Sequence, residues 1–466
     1  MSIFKAYDVR GVYGRGIDEE LTGRIAGAFV RVYGGGTYLV GHDARLHSRG
    51  MYDAFIRGLL EENAEVYGLG LCSTPELHFL QNRRGISAGV MITASHNPPE
   101  YHGIKFFDDR GGSVSYASGL DKVEKELEAV PGVSGEVGGG ACRGAGGAPA
   151  GDGSYRDLEN PADYRRFLAE AASGLRFAGR IVIDASNGSA GAAFALLVED
   201  AGLDGVLINA EPDGTFPNHG PNPLEPASRV QLAETVRARG ADLGVLLDGD
   251  GDRAVFVDET GAAVQSSFAA ALLAEDILER EPGSAIVYDL ISSHVLPERI
   301  RELGGRPVAS RVGYTFLYDR MVEGGSPFGA ETSGHAYFRV DREYYTESAA
   351  YALLSMLRLL ERRRRPLSAL LAPLRGRYAQ WPETSLTVDD KDRAMRLVTE
   401  RYAHGRIERT DGISVSFDDY WFNLRPSNTE PVLRLTLEAR DESTAERRAR
   451  EIVDLIEVAA GEGRSP

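Results

Sequence analysis

Short apolar runs alternate with amphipathic stretches along most of the chain. The first runs, at 37–43, 65–69 and 88–93, have strand length, whereas 48–63 and the residues after Pro75 have helical spacing. Strands that alternate with helices favour a layer in which the helices cover a parallel or mixed sheet. We therefore predict an α/β unit in the first part of the chain.

The alternation returns twice after a break. Between 131 and 153 Gly and Ala predominate, which indicates a flexible linker. A second α/β unit is predicted from a helix at 161–172 and strands at 180–184 and 205–209. A third is predicted from helices at 267–281 and 347–364 and strands at 285–289 and 307–311.

The pattern changes after Pro366. Strands at 385–388, 413–417 and 433–437 mix there with helices at 391–402 and 443–459, which is typical of a small α+β domain. The predicted domains are therefore 1–153, 154–254, 255–366 and 367–466.

Composition restricts the class of partner. The 466 residues carry a formal net charge of -17, which opposes non-specific binding to nucleic acid. No apolar run reaches membrane-spanning length, and the first residues lack the pattern of a signal peptide. We expect a cytoplasmic protein that binds neither membrane nor nucleic acid. Cys72 and Cys142 lack metal-ligand spacing, so we expect reduced thiols.

Three carboxylates at alternate positions form the strongest candidate site. Asp248, Asp250 and Asp252 are separated only by glycines and follow an apolar run of strand length. Gly249 and Gly251 permit unusual backbone angles, so the carboxylates can converge. Three converging carboxylates would repel one another strongly without a cation, and Mg²⁺ suits oxygen ligands. We predict a Mg²⁺ site, with a solvated acidic turn as the simpler alternative.

An EF-hand is disfavoured for the same stretch. Its loop needs a glycine at the sixth position, which is Arg253 when counting begins at Asp248. The missing glycine therefore favours a site other than an EF-hand calcium loop.

A second stretch, 93–105, follows a predicted strand and carries reactive groups. Ser95 offers a hydroxyl nucleophile, His96 a possible proton carrier and Lys105 a cation. An ordinary Ser/Asn/Pro turn is equally compatible with this stretch by itself.

Three further stretches carry groups that bind sugars or phosphates. Tyr7 and Arg10 stand among glycines, and Arg10 is a candidate for an anion, although a surface role is the simpler reading. In an extended loop Glu331, Ser333 and His335 would point one way, which suits sugar hydroxyls. The last stretch combines a guanidinium, hydroxyls and an amide that match a phosphate, at Arg425, Ser427, Asn428 and Thr429. No GxxxxGK[ST] pattern is present, so nucleotide binding of that type is unsupported.

Together these motifs indicate transfer of phosphoryl groups on a sugar. They resemble, in the same order, those of the α-D-phosphohexomutase family and its phosphomannomutase/phosphoglucomutase group. The resemblance rests on residues 4–12, 93–99, 213–219, 248–253, 331–335 and 425–429.

The resemblance implies three α/β/α domains and a C-terminal domain like the TATA-binding-protein fold, arranged around a central cleft. It also implies that Ser95 carries a phosphoryl group and that Mg²⁺ is held by Asp248, Asp250, Asp252 and a phosphoserine oxygen. The implied reaction converts hexose 1-phosphate and 6-phosphate through a 1,6-bisphosphate, with glucose or mannose 1,6-bisphosphate as activator. His96, Lys105 and Arg253 would then act at the reacting centre.

Two positions depart from the family pattern. Tyr314 and Ile291 fall where relatives usually have basic residues, so the sugar preference is open. The alternatives are a glucosamine-phosphate mutase, a Mg²⁺-dependent sugar-phosphate phosphatase, and a binding protein without turnover. The sequence does not decide between a monomer and a dimer.

Overall fold

The chain forms two compact units in a computed structural model that describes residues 2–129, 153–158, 162–342, 344–427 and 432–461. The first unit comprises Met1–Gln265 and Ser333–Leu367, and the second comprises Ser266–Thr332 and Ser368–Pro466. The predicted linker at 131–153 lies outside the described residues except for Gly153, and so does Cys142.

The first sheet is mixed and occupies the N-terminal part of the first unit. Its strand order is β1-β5-β4-β2-β3-β6. Strands β2, β3, β4 and β6 run parallel, whereas β5 pairs antiparallel with β4 and β1 pairs antiparallel with β5. The elements are β1 (Val9–Val12), α1 (Glu19–Tyr33), β2 (Thr37–His42), α2 (Ser48–Glu61), β3 (Glu65–Leu71), α3 (Thr74–Arg84), β4 (Ala88–Ile92), β5 (Tyr101–Phe107), α4 (Asp121–Ala129) and β6 (Ser154–Asp157).

Five of these elements were not predicted, namely β1, α1, β5, α4 and β6. Helix α1 begins where the Asp18 side chain accepts the backbone N–H of Leu21, a normal N-cap. Strand β5 lies in the stretch that the sequence predicted only as a loop, and it carries Lys105 inside the sheet. The ring of Phe106 on β5 stacks on Phe29 of α1 at a centroid distance of 4.6 Å, so core packing stabilises this strand.

The second sheet of the first unit has the order β10-β9-β7-β8. Strands β7, β8 and β9 are parallel, and β10 pairs with β9 in antiparallel register. The elements are α5 (Ala162–Ala171), β7 (Arg180–Asp184), α6 (Gly191–Asp200), β8 (Asp204–Ile208), α7 (Val230–Arg239), β9 (Leu243–Leu247) and β10 (Ala254–Asp258).

The second unit contains a three-stranded parallel arrangement, β12-β11-β13, with helices beside it. Its elements are α8 (Ser266–Arg280), β11 (Ala285–Asp289), α9 (Val295–Glu302), β12 (Arg306–Ser310), α10 (Tyr314–Gly324) and β13 (Phe328–Ala330). The chain then returns to the first unit.

The returning segment corrects one predicted boundary. It contains the antiparallel pair β14 (Ala336–Arg339) and β15 (Tyr345–Glu347), followed by α11 (Ala349–Arg363). The helix was predicted to begin at Glu347, but that residue pairs with Tyr337 in the ladder. Ser348 caps the helix instead, because its hydroxyl accepts the N–H of Tyr351.

The C-terminal part of the second unit is an antiparallel sheet, β16-β20-β19-β18-β17, with helices packed on it. Its elements are α12 (Leu367–Leu371), β16 (Ala379–Thr387), α13 (Lys391–Arg401), β17 (Arg406–Glu408), β18 (Ile413–Ser416), β19 (Tyr420–Pro426), β20 (Val432–Ala439) and α14 (Glu442–Gly461). The predicted α/β class with mixed sheets and a C-terminal α+β part is confirmed. The likeness of that part to the TATA-binding-protein fold stays a prediction.

Two strands begin close to predicted domain boundaries, at 154 and at 254. The division into four domains itself stays a prediction. Residues 154–157 pair with β3 in the first sheet, and residues 254–258 pair with β9 in the second.

Among the described helices, none combines the length and the apolar character that crossing a membrane requires.

His78 of α3 makes stability depend on pH. Only 3% of the residue is exposed, its ring lies 5.2 Å from that of Phe107, and burial lowers its pKa to about 4. The unfolded chain takes up this proton near pH 6.5, so the folded state loses stability as the pH falls from that value towards 4.

We expect His78→Phe to weaken this dependence. Between pH 7 and pH 5 its free energy of unfolding should fall by about 2 kcal/mol less than that of the wild type, since one pH unit corresponds to about 1.4 kcal/mol per proton. Urea denaturation followed by circular dichroism measures the difference. Substitution of the exposed His404 by Phe serves as the control. Parallel pH profiles for His78→Phe and the wild type would contradict the prediction.

Candidate active site

The nucleophile candidate lies in the loop between β4 and β5. Ser95 is fully buried, and its hydroxyl donates to Asp248 Oδ2 at 2.8 Å. His96 Nδ1 lies 3.5 Å from the same hydroxyl. Burial, and then the charges of Arg253 and Arg10, hold the pKa of His96 well below its ordinary value. The imidazole beside Ser95 is therefore neutral at neutral pH.

The three aspartates occupy the tight loop between β9 and β10, and each is fully buried. Gly251 adopts a φ of +74°, which favours glycine. A Cβ at Gly249 would lie 2.7 Å from the Ser95 carbonyl oxygen, so only glycine lets the two loops approach so closely. Asp248 Oδ1 accepts the N–H groups of Gly251 and Asp252 at 3.0 and 3.1 Å. The sequence-predicted convergence of the carboxylates is present.

Lys105 supplies the nearest positive charge. Its Nζ donates to Asp250 Oδ2 at 2.7 Å and to Asp252 Oδ2 at 2.6 Å. Burial alone would lower its pKa, but the surrounding carboxylates, led by Asp250 and Asp252, raise the pKa well above its ordinary value. Lys105 is therefore a fixed cation in this arrangement.

The carboxylates differ in their tendency to ionise. Burial, and then repulsion by Asp252 and Asp250, raises the pKa of Asp248 well above its ordinary value. Burial acts in the same direction on Asp252, but Lys105 and His335 outweigh it and hold that pKa well below the ordinary value. Negative charge is thus concentrated on the side of the loop that faces Lys105.

The aspartate loop fits a hard divalent cation. Asp248, Asp250 and Asp252 each offer one oxygen within 4.8 Å of the others. Asp250 Oδ1 is buried and has no hydrogen-bond partner among the described residues. An unpaired buried carboxylate oxygen is costly unless a cation or donor reaches it. This donor set is one that Mg²⁺ accepts.

Arg253 and His335 border the loop. Arg253 Nε donates to His335 Nε2 at 3.0 Å, and His335 Nε2 lies 3.2 Å from Asp252 Oδ1. Ser333 Oγ lies 3.1 Å from His335 Nδ1. The backbone at 331–335 is not extended as expected, because Gly334 has a φ of +91° and the chain turns there, although Ser333 and His335 still contact each other.

Of the two N-terminal candidates, Arg10 contacts the serine loop. Arg10 Nη1 donates a hydrogen bond to Asn97 Oδ1, and its Nη2 donates one to Asp8 Oδ2, so Arg10 contacts the serine loop directly. Tyr7 is half-buried.

The remaining predicted residues belong to the second unit. Glu331 is buried there. Its charge acts on Asp289 at the end of β11, whose own burial and then the charge of Glu331 raise its pKa to about 6. Arg425 Nη2 donates to Glu383 Oε2 at 3.0 Å. The backbone N–H of Ser427 donates to Val432. Asn428 and Thr429 lie outside the described residues.

Three residues at the site were missed in the sequence. Thr74, at the start of α3, donates to Asp250 Oδ2 at 2.6 Å. Glu347, on β15, lies with Asp252 and His335 in a cluster whose ligand atoms are within 4.8 Å, and burial and then Asp252 raise its pKa to about 7. Arg45 contacts the backbone of the serine loop. Asp43 ends the strand predicted at 37–43 and Arg45 lies just after it, which is the one signal that could have identified them.

Family models match nearly the whole chain in four consecutive parts. They describe the phosphoglucomutase/phosphomannomutase α/β/α domains I, II and III at residues 1–131, 162–261 and 265–378. The C-terminal domain of the same description matches residues 383–455.

Individual proteins agree over the same length. A phosphomannomutase of Methanocaldococcus jannaschii is 34% identical over 456 residues, covering 98% of both chains. A probable phosphoglucosamine mutase of Methanopyrus kandleri is 35% identical over 97% of each chain. The solved structure of a phosphoglucomutase/phosphomannomutase family protein from Burkholderia thailandensis superposes with a TM-score of 0.85 at 28% identity, covering 98% of this chain and 97% of that one.

Lys105→Met tests the charge balance of the aspartate loop. The variant removes the ammonium between Asp250 and Asp252, and breaking a buried ion pair costs about 3 to 5 kcal/mol. A divalent cation that binds only the folded state would offset this cost. We therefore expect the variant to lose much more thermal stability in EDTA than in excess Mg²⁺.

Thermal unfolding in the two buffers measures this difference. Lys125→Met removes an exposed lysine that pairs with Asp121, and it should be nearly neutral in both. An equal loss for Lys105→Met with and without Mg²⁺ would show that the loop does not depend on a cation.

Proposed function

The chain belongs to the phosphoglucomutase/phosphomannomutase family, and from this premise we propose that it interconverts the 1-phosphate and 6-phosphate of mannose, of glucose or of both. It is an isomerase of the phosphohexomutase type. The observation that carries the proposal is the buried Ser95 hydroxyl, which lies 2.8 Å from Asp248 in an aspartate loop that also binds Lys105. A buried hydroxyl in such surroundings suits a phosphoryl group that must be kept from water.

Ser95 is assigned as the residue that carries the phosphoryl group. A phosphoserine brings about -1.5 to -2 charges at neutral pH, which add to those of the three aspartates. Lys105 and Arg253 supply positive charge at this point, and both are fixed by contacts to the aspartate loop. Positioning and charge neutralisation are the main catalytic contributions in phosphoryl transfer.

Asp248, Asp250 and Asp252 would hold Mg²⁺ together with a phosphoserine oxygen. Bound there, the cation would supply positive charge that favours charge development on the phosphoryl oxygens. Asp250 Oδ1, which accepts no hydrogen bond from the part of the chain that the structure describes, supports this assignment.

In the proposed reaction the substrate hydroxyl loses its proton as its oxygen bonds to phosphorus and the bond from phosphorus to Ser95 Oγ breaks. The product of this half is a hexose 1,6-bisphosphate. After the sugar reverses its orientation, Ser95 Oγ bonds to the phosphorus of its other phosphoryl group, the bond from that phosphorus to the sugar oxygen breaks, and the sugar oxygen takes up the proton. Glucose or mannose 1,6-bisphosphate would charge the enzyme at the start. His96 is assigned to proton transfer. Lys105 is assigned to stabilising the negative charge on the oxygens between which the phosphoryl group moves.

The substrate-binding roles of the following residues are also proposed. Glu331, Ser333 and His335 are assigned to sugar hydroxyls present in both orientations. Tyr7 and Arg10 are assigned to the substrate near the serine loop. The distal phosphate is assigned to Arg425, Ser427, Asn428 and Thr429. A guanidinium with short hydroxyls and backbone N–H groups suits a phosphate that must bind equally well in both orientations.

Glucosamine phosphate is the weaker alternative substrate. It is supported by the name of the Methanopyrus kandleri relative, whereas the Methanocaldococcus jannaschii relative is named a phosphomannomutase. Tyr314 and Ile291, which stand where basic residues are usual, are the positions from which a different sugar preference could arise.

Ser95→Ala tests the assignment of the nucleophile. We expect turnover to fall at least 10³-fold, because no other hydroxyl hydrogen-bonds to Asp248 among the described residues. Coupled assays in both directions give the rates, and intact mass after incubation with glucose 1,6-bisphosphate reports the phosphorylated enzyme. Ser87→Ala, at an exposed serine, is the matched control. A Ser95→Ala enzyme that still turns over or still becomes phosphorylated would refute the assignment.

A substrate panel tests the reaction and the sugar. We expect conversion of mannose 1-phosphate or glucose 1-phosphate with Mg²⁺ and a trace of bisphosphate, and slower conversion of glucosamine 1-phosphate. Phosphorus NMR distinguishes transfer within the sugar from release of inorganic phosphate. Release at the rate of substrate loss would identify a phosphatase, and no conversion of any of the three would overturn the mutase.

A further inference from the structure

Ser95 has an unfavourable backbone conformation. Its φ is +49°, a left-handed value that residues with a Cβ rarely adopt. Strain of this kind persists only where the surroundings determine the conformation from several sides. The contacts that hold the backbone of this loop therefore decide where the Ser95 hydroxyl lies.

Arg45 makes most of those contacts. Its Nη2 donates to the carbonyl oxygens of Ser95 and Asn97 at 2.8 and 2.5 Å. Its Nη1 donates to those of Pro98 and Tyr101 at 2.7 and 2.9 Å. One guanidinium thus binds four carbonyls between Ser95 and the first residue of β5, beginning with that of Ser95 itself. Only 2% of Arg45 is exposed, so water does not compete for these donors.

Asp43 connects Arg45 to the amide side of the same turn. Asp43 Oδ2 lies 3.2 Å from Arg45 Nε and accepts the hydroxyl of Thr93 at 2.7 Å. The Thr93 oxygen in turn accepts the N–H of Ser95 at 2.8 Å. The peptide groups on both sides of Ser95 Cα are therefore held by one buried ion pair.

The segment that follows β8 packs on the other face of Arg45. Gly214 forms an isolated β-bridge with Arg45, and a Cβ at Gly214 would lie 2.4 Å from the backbone nitrogen of Leu46. The Phe216 ring lies 5.3 Å from the guanidinium carbon. This contact orients the planar guanidinium and gives the 213–219 motif a physical role.

We propose that Arg45 is the positioning residue of the serine loop, because its guanidinium holds the left-handed turn at Ser95 that directs the hydroxyl to the aspartate loop. This inference rests on the proposed function in which Ser95 carries the phosphoryl group. Arg45 does not touch the reacting atoms and acts only through the loop backbone. Lysine cannot replace it, since an ammonium lacks the planar fork that reaches four carbonyls.

Arg45→Lys should therefore reduce turnover without weakening substrate binding to the same extent. We expect kcat to fall about 10²-fold, the effect of a misplacement of about 1 Å, while KM for the preferred hexose phosphate changes less than threefold. The rate at which glucose 1,6-bisphosphate phosphorylates Ser95 should fall with kcat. Amide hydrogen exchange in peptides covering 94–101 should accelerate.

A second variant separates positioning from folding. In Arg45→Ala, about 10 mM guanidinium chloride should restore part of kcat, because the free ion can enter the cavity and bind the same carbonyls. Arg358→Lys is the matched control, since Arg358 donates to the carbonyl of Ala171 away from the serine loop. It should leave kcat and the exchange of 94–101 unchanged.

The outcomes are distinguishable. Wild-type kcat in Arg45→Lys, or a fall in stability while the folded enzyme turns over normally, would overturn the role of Arg45. Faster exchange confined to 94–101 together with a lower kcat would support it. Turnover in Ser95→Ala, or an inactive wild type, would instead refute the proposed function.

Discussion

The concentration of negative charge at the aspartate loop is the constraint on which the rest of the first unit depends. Asp248, Asp250 and Asp252 are fully buried within a few ångströms of one another, and buried like charges are costly unless cations and hydrogen-bond donors surround them. The compensation comes from several elements of the unit. Backbone N–H groups of the loop itself serve Asp248, the start of α3 contributes Thr74, and the antiparallel strand β5 contributes Lys105. The groups that stabilise the three aspartates thus come from two sheets, and no single element provides all of them.

In the serine loop the unfavourable feature is a backbone conformation and not a concentration of charge. Ser95 must leave β4 in a left-handed conformation to direct its hydroxyl across to the second sheet, and glycine cannot be used where a hydroxyl is required. The buried pair of Arg45 and Asp43 resolves this by binding the peptide groups on both sides of Ser95. Both Asp43 and Arg45 follow the carboxyl end of β2, the neighbour of β4. In α/β sheets this end of the strands is where functional groups assemble, because loops from neighbouring strands meet there.

The second unit shows how a phosphate-binding candidate is kept ordered beforehand. Arg425 and Arg434 lie in register on neighbouring strands and share the carboxylate of Glu383. Without a carboxylate the two guanidinium groups would repel each other, so Glu383 holds them in one geometry. Asp289 fixes the turn after β13 in a similar way, because its Oδ2 accepts both the N–H and the hydroxyl of Thr332, next to Glu331.

The sequence by itself determined whatever depends on neighbours in the chain. Apolar periodicity identified most strands and helices, and the alternation of aspartate and glycine identified the aspartate loop as a candidate metal site, since both signals lie within a few residues. Tertiary structure decided what depends on partners far away. Lys105 looked like a loop residue because its stretch is polar, yet pairing with β4 makes it part of a sheet. Glu347 looked like the start of a helix, and pairing with Tyr337 puts it in a strand beside His335. Arg45 carried no motif at all, because its role comes from four carbonyl groups about fifty residues away, and a backbone carbonyl leaves no trace in the identity of the residue that carries it.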